Sequence, residues 1–251
     1  MLRVADFPRI VNGMIYTDAH CHITPDAQNP EIACRIYNSA RAADWAAAVD
    51  ISERDDDKNF AAIGIHPWYI ADATPEFESK MVDILSAHPN LMVGEIGLDK
   101  YHPDMPRQIE IFTAQLEIAT TLRRPIHLHC VGAWDKVLHI FHKHMNKMPP
   151  AVVAHGFNGD ANQIQMLADK YNMYFSYPAP HENASDVARI TMTPKNRILA
   201  ESDTFDPIEE VQKLDTAIGA IAVAQQSDID EMSEKIYQNL QGVISYVRPI
   251  A

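Results

Sequence analysis

Histidines and carboxylates in this chain stand at the ends of short apolar runs, and that placement narrows the folds open to it. His20 and His22 follow Ile15-Tyr16-Thr17-Asp18, and Glu95 follows Leu91-Met92-Val93-Gly94. His129 ends the run from Pro125, His155 follows Val152-Val153-Ala154, and Asp203 comes after Ile198-Leu199-Ala200-Glu201. Apolar runs of this length between turn residues are the mark of buried parallel strands. A closed barrel gathers its functional side chains at one mouth, where every strand ends. Imidazoles and carboxylates repeated at strand ends therefore point to a divalent-metal site at such a mouth.

The runs near Ile15–Asp18, Ala33–Asn38, Phe60–Ile65, Leu91–Ile96, Pro125–His129, Val152–His155, Met173–Tyr177 and Arg197–Glu201 read as strands. Trp45–Ile51 is an equally apolar candidate for the second of them. Helical spacing marks Arg107–Leu122, Trp134–Met145 (Val137, Leu138, Phe141 and Met145 on one face), Pro207–Gln226 and Asp230–Tyr246, the last begun by the capping pair Ser227-Asp228. A barrel allows roughly 30 residues per βα unit. The 34 positions from Glu95 to His129 and the 26 from His129 to His155 are one unit each. The expectation is an α/β chain folded as one (β/α)8 TIM barrel over residues 1–251, somewhat shortened in its first βα units.

Charge and composition limit the partners. Twenty-one Lys and Arg against 34 Asp and Glu leave a net charge of −13, which disfavours long nucleic acid held on a basic surface. Bound cations would reverse that sign locally, so a phosphate-bearing substrate stays open. No apolar run is long enough to span a membrane, Met1–Pro8 lacks the apolar core of a signal peptide, and the three cysteines do not make a complete disulfide set. A cytoplasmic protein is expected, with a monomer compatible with the sequence. The acidic stretch Glu53–Lys58 lacks the glycine and alternating oxygen ligands of a calcium loop and reads as a solvated turn.

Side chains alternate along a strand, so His20 and His22 share a face and Cys21 points away. Glu95 is suited to bridging two cations, with Gly94 and Gly97 allowing close backbone approach. Of His127 and His129, the second lies nearer the strand end and is taken as the ligand, His127 as a deeper interior residue. Asp203 is suited both to bind metal and to accept a proton from an attacking water. His139, His142 and His144 fall on a helix and read as a solvated face, and His102 and His181 fall in loops. The three tryptophans are not spaced as a platform for stacking single-stranded bases.

Taken in order, Asp18-Ala19-His20-Cys21-His22, Gly64-Ile65-His66-Pro67, Gly94-Glu95-Ile96-Gly97-Leu98-Asp99, the Pro-x-x-x-His ending at His129, His155-Gly156-Phe157 and Glu201-Ser202-Asp203 resemble the motifs of the TatD-related metal-dependent hydrolases, which are amidohydrolase-like barrels. Gln108-x-x-x-Phe112-x-x-Gln115 is similar as well. The resemblance implies a divalent centre, commonly of two ions (Zn, Mg or Mn), that hydrolyses phosphodiester bonds, often in DNA, with water activated on the metal. It places His20, His22 and Asp203 on one ion and His129 and His155 on the other, with Glu95 between them and His66 near the substrate. Catalytic roles would then fall to Asp203 and Glu95.

The departures bear on the substrate. Val131 stands where the family usually has an arginine two residues beyond the fifth-strand histidine, which removes a bidentate phosphate contact. A basic segment after the last ligand is missing, and Trp68 stands where a polar residue is common. The expected substrate is a small phosphoester or short oligonucleotide, with long nucleic acid disfavoured. The same ligands would also serve hydrolysis of an amide, lactone or carboxylic ester, or persist in a catalytically silent metal-binding barrel.

Overall fold

The apolar runs do form strands, and all neighbouring pairs are parallel. In the computed structural model, which describes residues 13–23, 29–54, 57–145, 147–179 and 184–247, the strands are β1 (Tyr16–Cys21), β2 (Ile32–Asn38), β3 (Asn59–Ile63), β4 (Met92–Asp99), β5 (Ile126–Val131), β6 (Val152–Ala154), β7 (Met173–Tyr177) and β8 (Ile198–Ala200). They form one eight-stranded sheet in sequence order. Beyond the last ladder, the Asp203 N–H donates to the His20 carbonyl at 3.0 Å and the His22 N–H to the Thr204 carbonyl at 2.9 Å. These bonds draw β8 back onto β1, and the result is the (β/α)8 barrel that the spacing predicts. Met1–Pro8, Asp55, Asp56 and His181 lie outside the described residues.

Helices α1 (Trp45–Ser52), α2 (Phe77–Ala87), α3 (Met105–Thr121), α4 (Trp134–Lys143), α5 (Ile164–Tyr171), α6 (Ala184–Met192), α7 (Pro207–Ala224) and α8 (Ile229–Ile244) alternate with the strands or close the chain. Among the described residues no helix separates β1 from β2, the shortening expected at the start. Trp45–Ile51, the alternative second strand, is helical: Trp45, Ala48 and Ile51 are buried at three-residue intervals, a helical period. The fourth helix ends at Lys143, so Met145 is exposed and Ile140 takes the buried place beside Val137 and Phe141. Asp228 caps α8 by accepting from the Asp230 and Glu231 N–H groups.

Two apolar layers result. One lies between strands and helices. The other fills the barrel with Ala19, Ile36, Phe60, Ala62, Met92, Val153 and Leu199, joined by Leu240, Val243 and Ile244 of α8. Polar side chains take over toward the strand C-terminal ends, where His20, Asn38, Glu95 and Ser176 are buried.

Two glutamines of α3 hold strand ends in place. Gln115 accepts from the Ile65 N–H at 2.7 Å and donates to the Ile65 carbonyl at 3.1 Å. Gln108 accepts from the Asp99 N–H at 2.8 Å and donates to the carbonyls of Asp99, His102 and Pro103. Each side-chain amide thus substitutes for a strand neighbour, and the two fix the backbone next to His66 and beyond Glu95. None of the described helices is long and apolar enough to cross a membrane.

Candidate active site

Glu95 is the centre of the mouth. Its Oε2 lies 3.3 Å from His20 Nε2 and 3.6 Å from His22 Nε2. Its Oε1 lies 2.9 Å from His129 Nδ1, 3.3 Å from His66 Nε2 and 3.3 Å from His155 Nε2. Asp203 joins from the β8 side, with Oδ1 3.6 Å from His22 Nε2. All seven residues singled out in the sequence therefore meet at one place. Glu95 and His129 sit inside β4 and β5 rather than at their ends, because those strands run on to Asp99 and Val131. Gly97 makes that close pairing possible: its φ is +152° and an added Cβ would stand 1.8 Å from the His129 carbonyl oxygen.

The β1 histidines owe their aim to a bulge. Asp18 pairs with Arg35 and Cys21 with Tyr37, so three steps on β1 answer two on β2. Asp18 and Cys21 consequently share an outer cluster with Glu210 of α7, while His20 and His22 turn toward Glu95. Asp18 accepts from the His20 N–H at 3.1 Å, the Ser202 N–H at 3.0 Å and the Ser202 hydroxyl. Burial pushes its carboxyl up to about 7 against those hydrogen bonds. The contact fixes Ser202, the residue before Asp203, to Asp18, two residues before His20.

Outer partners orient three of the imidazoles. His22 Nδ1 lies 2.8 Å from the Asn38 carbonyl, and His155 Nδ1 lies 3.0 Å from Glu201, a carboxylate that also accepts from the Gly156 N–H. Both arrangements turn Nε2 inward, as an outer partner does for a metal-binding histidine. His66 Nδ1 accepts from the Trp68 N–H at 3.1 Å, again leaving Nε2 toward Glu95. Asp203 has φ +45°, a left-handed conformation unusual outside glycine, with its N–H anchored on the His20 carbonyl.

Burial opposes charge here, and neighbours decide the outcome. Burial alone would raise Glu95, but the imidazoles of His66, His155 and His20 outweigh it and hold the carboxyl well below its usual range. Asp203 is likewise lowered despite burial, chiefly by His22. His155 is raised well above an ordinary histidine, the Glu201 and Glu95 carboxylates overcoming burial. His20 and His66 are lowered, burial prevailing.

The donor set suits divalent cations. Donor atoms of His20, His22 and Glu95, of His20, His155 and Asp203, and of His66, Glu95 and His129 each lie within 4.8 Å of one another. Both ring nitrogens of His20 and the Nε2 of His129 are buried without a hydrogen-bond partner, atoms that a cation would satisfy. His127, expected as a deeper residue, is fully buried below, its ring 5.9 Å from that of His20.

A cavity of about 180 Å³ opens over the cluster, lined by His22, Ala40, His66, Trp68, Tyr69, Glu95, His129, His155, Asp203 and Phe205. No lysine or arginine is among these residues. A larger hollow of about 440 Å³ lies between α3 and α4 beside His139 and His144, but its lining joins none of the clustered donor groups. Asp18, Asn38, Glu201 and Phe205 belong to the site without having been singled out. Asp18 and Glu201 lay inside quoted motifs, whereas Asn38 acts through its backbone and leaves no sequence signal.

Comparison with known proteins agrees with this geometry. The family model described as TatD related DNase matches residues 17–245. An uncharacterized metal-dependent hydrolase, YabD of Bacillus subtilis, is 31% identical over 150 residues, covering 57% of this chain and 58% of the relative. The 3'-5' ssDNA/RNA exonuclease TatD of Yersinia pseudotuberculosis is 31% identical over 107 residues, 42% of this chain and 41% of the relative. The alignments thus span about half the length of these relatives or less. Among solved structures, the TatD homolog YjjV of Escherichia coli superposes with a TM-score of 0.78 at 20% identity, covering 91% of this chain and 97% of the other. A TatD family hydrolase of Entamoeba histolytica gives 0.76 at 13% identity, covering 94% and 99%.

Proposed function

Because this chain belongs to the TatD-related DNase family, we propose that it is a divalent-metal-dependent hydrolase of phosphodiester bonds, acting on small phosphoesters or short single strands rather than on long duplex DNA. The observation that carries the reading is one buried carboxylate, Glu95, ringed by five imidazoles. The family match favours phosphorus over the carboxylic ester, amide and lactone alternatives, and favours an enzyme over a silent barrel.

His20, His22, Glu95, His129, His155 and Asp203 would hold two cations, with Glu95 shared: its Oε2 faces His20 and His22, its Oε1 faces His66, His129 and His155. The imidazole-rich set favours zinc over magnesium. Bound cations supply Lewis acidity toward a phosphoryl oxygen and make water a competent nucleophile near neutral pH. Asp203, held ionised and partly open to solvent, positions the attacking water and accepts its proton. Glu201 keeps His155 aimed inward, and His66 sits where the substrate enters.

The preference for short substrates follows from the pocket. Its lining offers no Lys or Arg, so attraction for a phosphate rests on the cations, while the net charge of −13 repels a long polyanion. The three cysteines, Cys21, Cys34 and Cys130, are buried and not joined in a disulfide, which suits a reducing cytosol. The test is hydrolysis of an end-labelled short single strand and of the matching long duplex by metal-loaded protein. Turnover of the first, its loss with chelator and its return with added metal support the reading. Chelator-resistant turnover, or faster cleavage of the duplex, overturns it.

A further inference from the structure

Two exposed aromatic rings stand at the rim of the same cavity, and the mechanism above uses neither. Trp68 is 50% exposed and Phe205 is 74% exposed, unusual for rings of this size. Each is backed by an imidazole. The Trp68 ring stacks on His102 at 4.5 Å between centroids and 21° between planes, and Phe205 stacks on His22 at 4.6 Å and 15°. Trp68 is further fixed by its indole N–H, which donates to Asp99 Oδ2 at 2.6 Å. Trp68 follows β3 and Phe205 follows β8, so β1 and β2 separate them around the ring, yet both line the pocket over Glu95.

We propose that Trp68 and Phe205 form a stacking clamp for an unpaired nucleobase of the substrate. The inference rests on the phosphodiesterase reading and adds the recognition element that reading lacks. With no lysine or arginine lining the pocket, selectivity among phosphate-bearing substrates must come from other groups, and aromatic faces held rigid by stacked imidazoles and a carboxylate lose little freedom on binding. A base in a duplex has both faces covered by its neighbours, so a clamp of this kind selects unpaired ends. The absence of a row of tryptophans is no obstacle: Trp45 is buried in the core and Trp134 packs on Phe157, leaving Trp68 to pair with Phe205 instead.

The test is binding of metal-loaded protein to end-labelled, phosphorothioate-protected oligodeoxyadenylate and to the same strand carrying abasic sites, read by fluorescence anisotropy. The base-bearing strand is expected to bind about 5- to 140-fold more tightly for each base stacked, the range that corresponds to ~1–3 kcal/mol per base. Trp68→Ala and Phe205→Ala should each reduce that ratio, the double variant should bring it near one, and Trp68→Phe should keep most of it. Equal affinity for the two strands in the parent protein, or an unchanged ratio in the double variant, overturns the clamp. So does an equal loss of affinity for both strands in every variant including Trp68→Phe, which marks a collapsed pocket. Turnover of phosphodiesters without base preference removes the clamp and leaves the hydrolase. Base preference in binding without turnover removes the hydrolase and leaves the clamp.

Discussion

Replacing Gln115 by methionine isolates what α3 contributes to the mouth of the barrel. Methionine matches the length and volume of glutamine but offers no amide, so the packing of α3 is retained while two hydrogen bonds vanish. The groups left behind are the N–H and C=O of Ile65, bonded to Gln115 at 2.7 and 3.1 Å in a residue only 1% exposed. Each buried group stripped of its partner costs about 1–3 kcal/mol. Burying the methionine side chain returns part of that, so a net loss of about 3 kcal/mol is expected. For a chain of this size that lowers Tm by roughly 6–12 °C. Because Ile65 precedes His66, kcat should fall as well while the remaining Glu95 contacts persist. Urea and thermal melts at fixed metal concentration measure the effect, a shifted midpoint with unchanged m-value marking a true stability change. Gln108 lies seven residues earlier on α3, about 10 Å away along the axis, so the two losses should add in the double variant. A Tm within about 2 °C of the parent would refute the claim that this amide substitutes for a strand neighbour.

Three further outcomes follow from the site. His129→Ala should lose bound metal, whereas His127→Ala should lower stability and keep the metal stoichiometry, as elemental analysis after gel filtration would show. Glu201→Gln removes the carboxylate that aims His155 and should weaken metal affinity or turnover about 10- to 100-fold, measured by metal titration alongside kcat. Val131→Arg restores a planar phosphate donor and should raise kcat/KM on small phosphodiesters about tenfold, with less gain on neutral esters in the same assay.

Much of the site was legible because its residues sit at fixed offsets from apolar runs, and a parallel barrel turns such offsets into one place. Strand alternation pairs His20 with His22, and nearness to the strand end, not side-chain period, separates His129 from His127. What was hidden depends on geometry that sequence does not carry. The bulge in β1 sends Asp18 outward to Glu210, which simple alternation from His20 does not anticipate. Asn38 contributes a carbonyl, so its side-chain type says nothing. Trp45–Ile51 suits a strand by composition and becomes α1 because its buried positions recur at a helical interval. Phe205 was invisible as a rim residue because its neighbour across the mouth, Trp68, comes from 137 positions earlier in the chain. The two α3 glutamines could be noticed as a pattern, but their role required seeing which backbone they meet.

In the proposed centre, Glu95 gathers cations between two sets of imidazoles. Anomalous diffraction from crystals of the metal-loaded protein tests it most directly. Two anomalous peaks are expected to flank the Glu95 carboxylate, one beside His20 and His22 and one beside His129 and His155, both lost when Glu95 is changed to alanine. Peaks confined to the Asp18, Cys21 and Glu210 cluster or to the α3–α4 hollow, with the Glu95 mouth free of metal in a protein that still turns over, would contradict it.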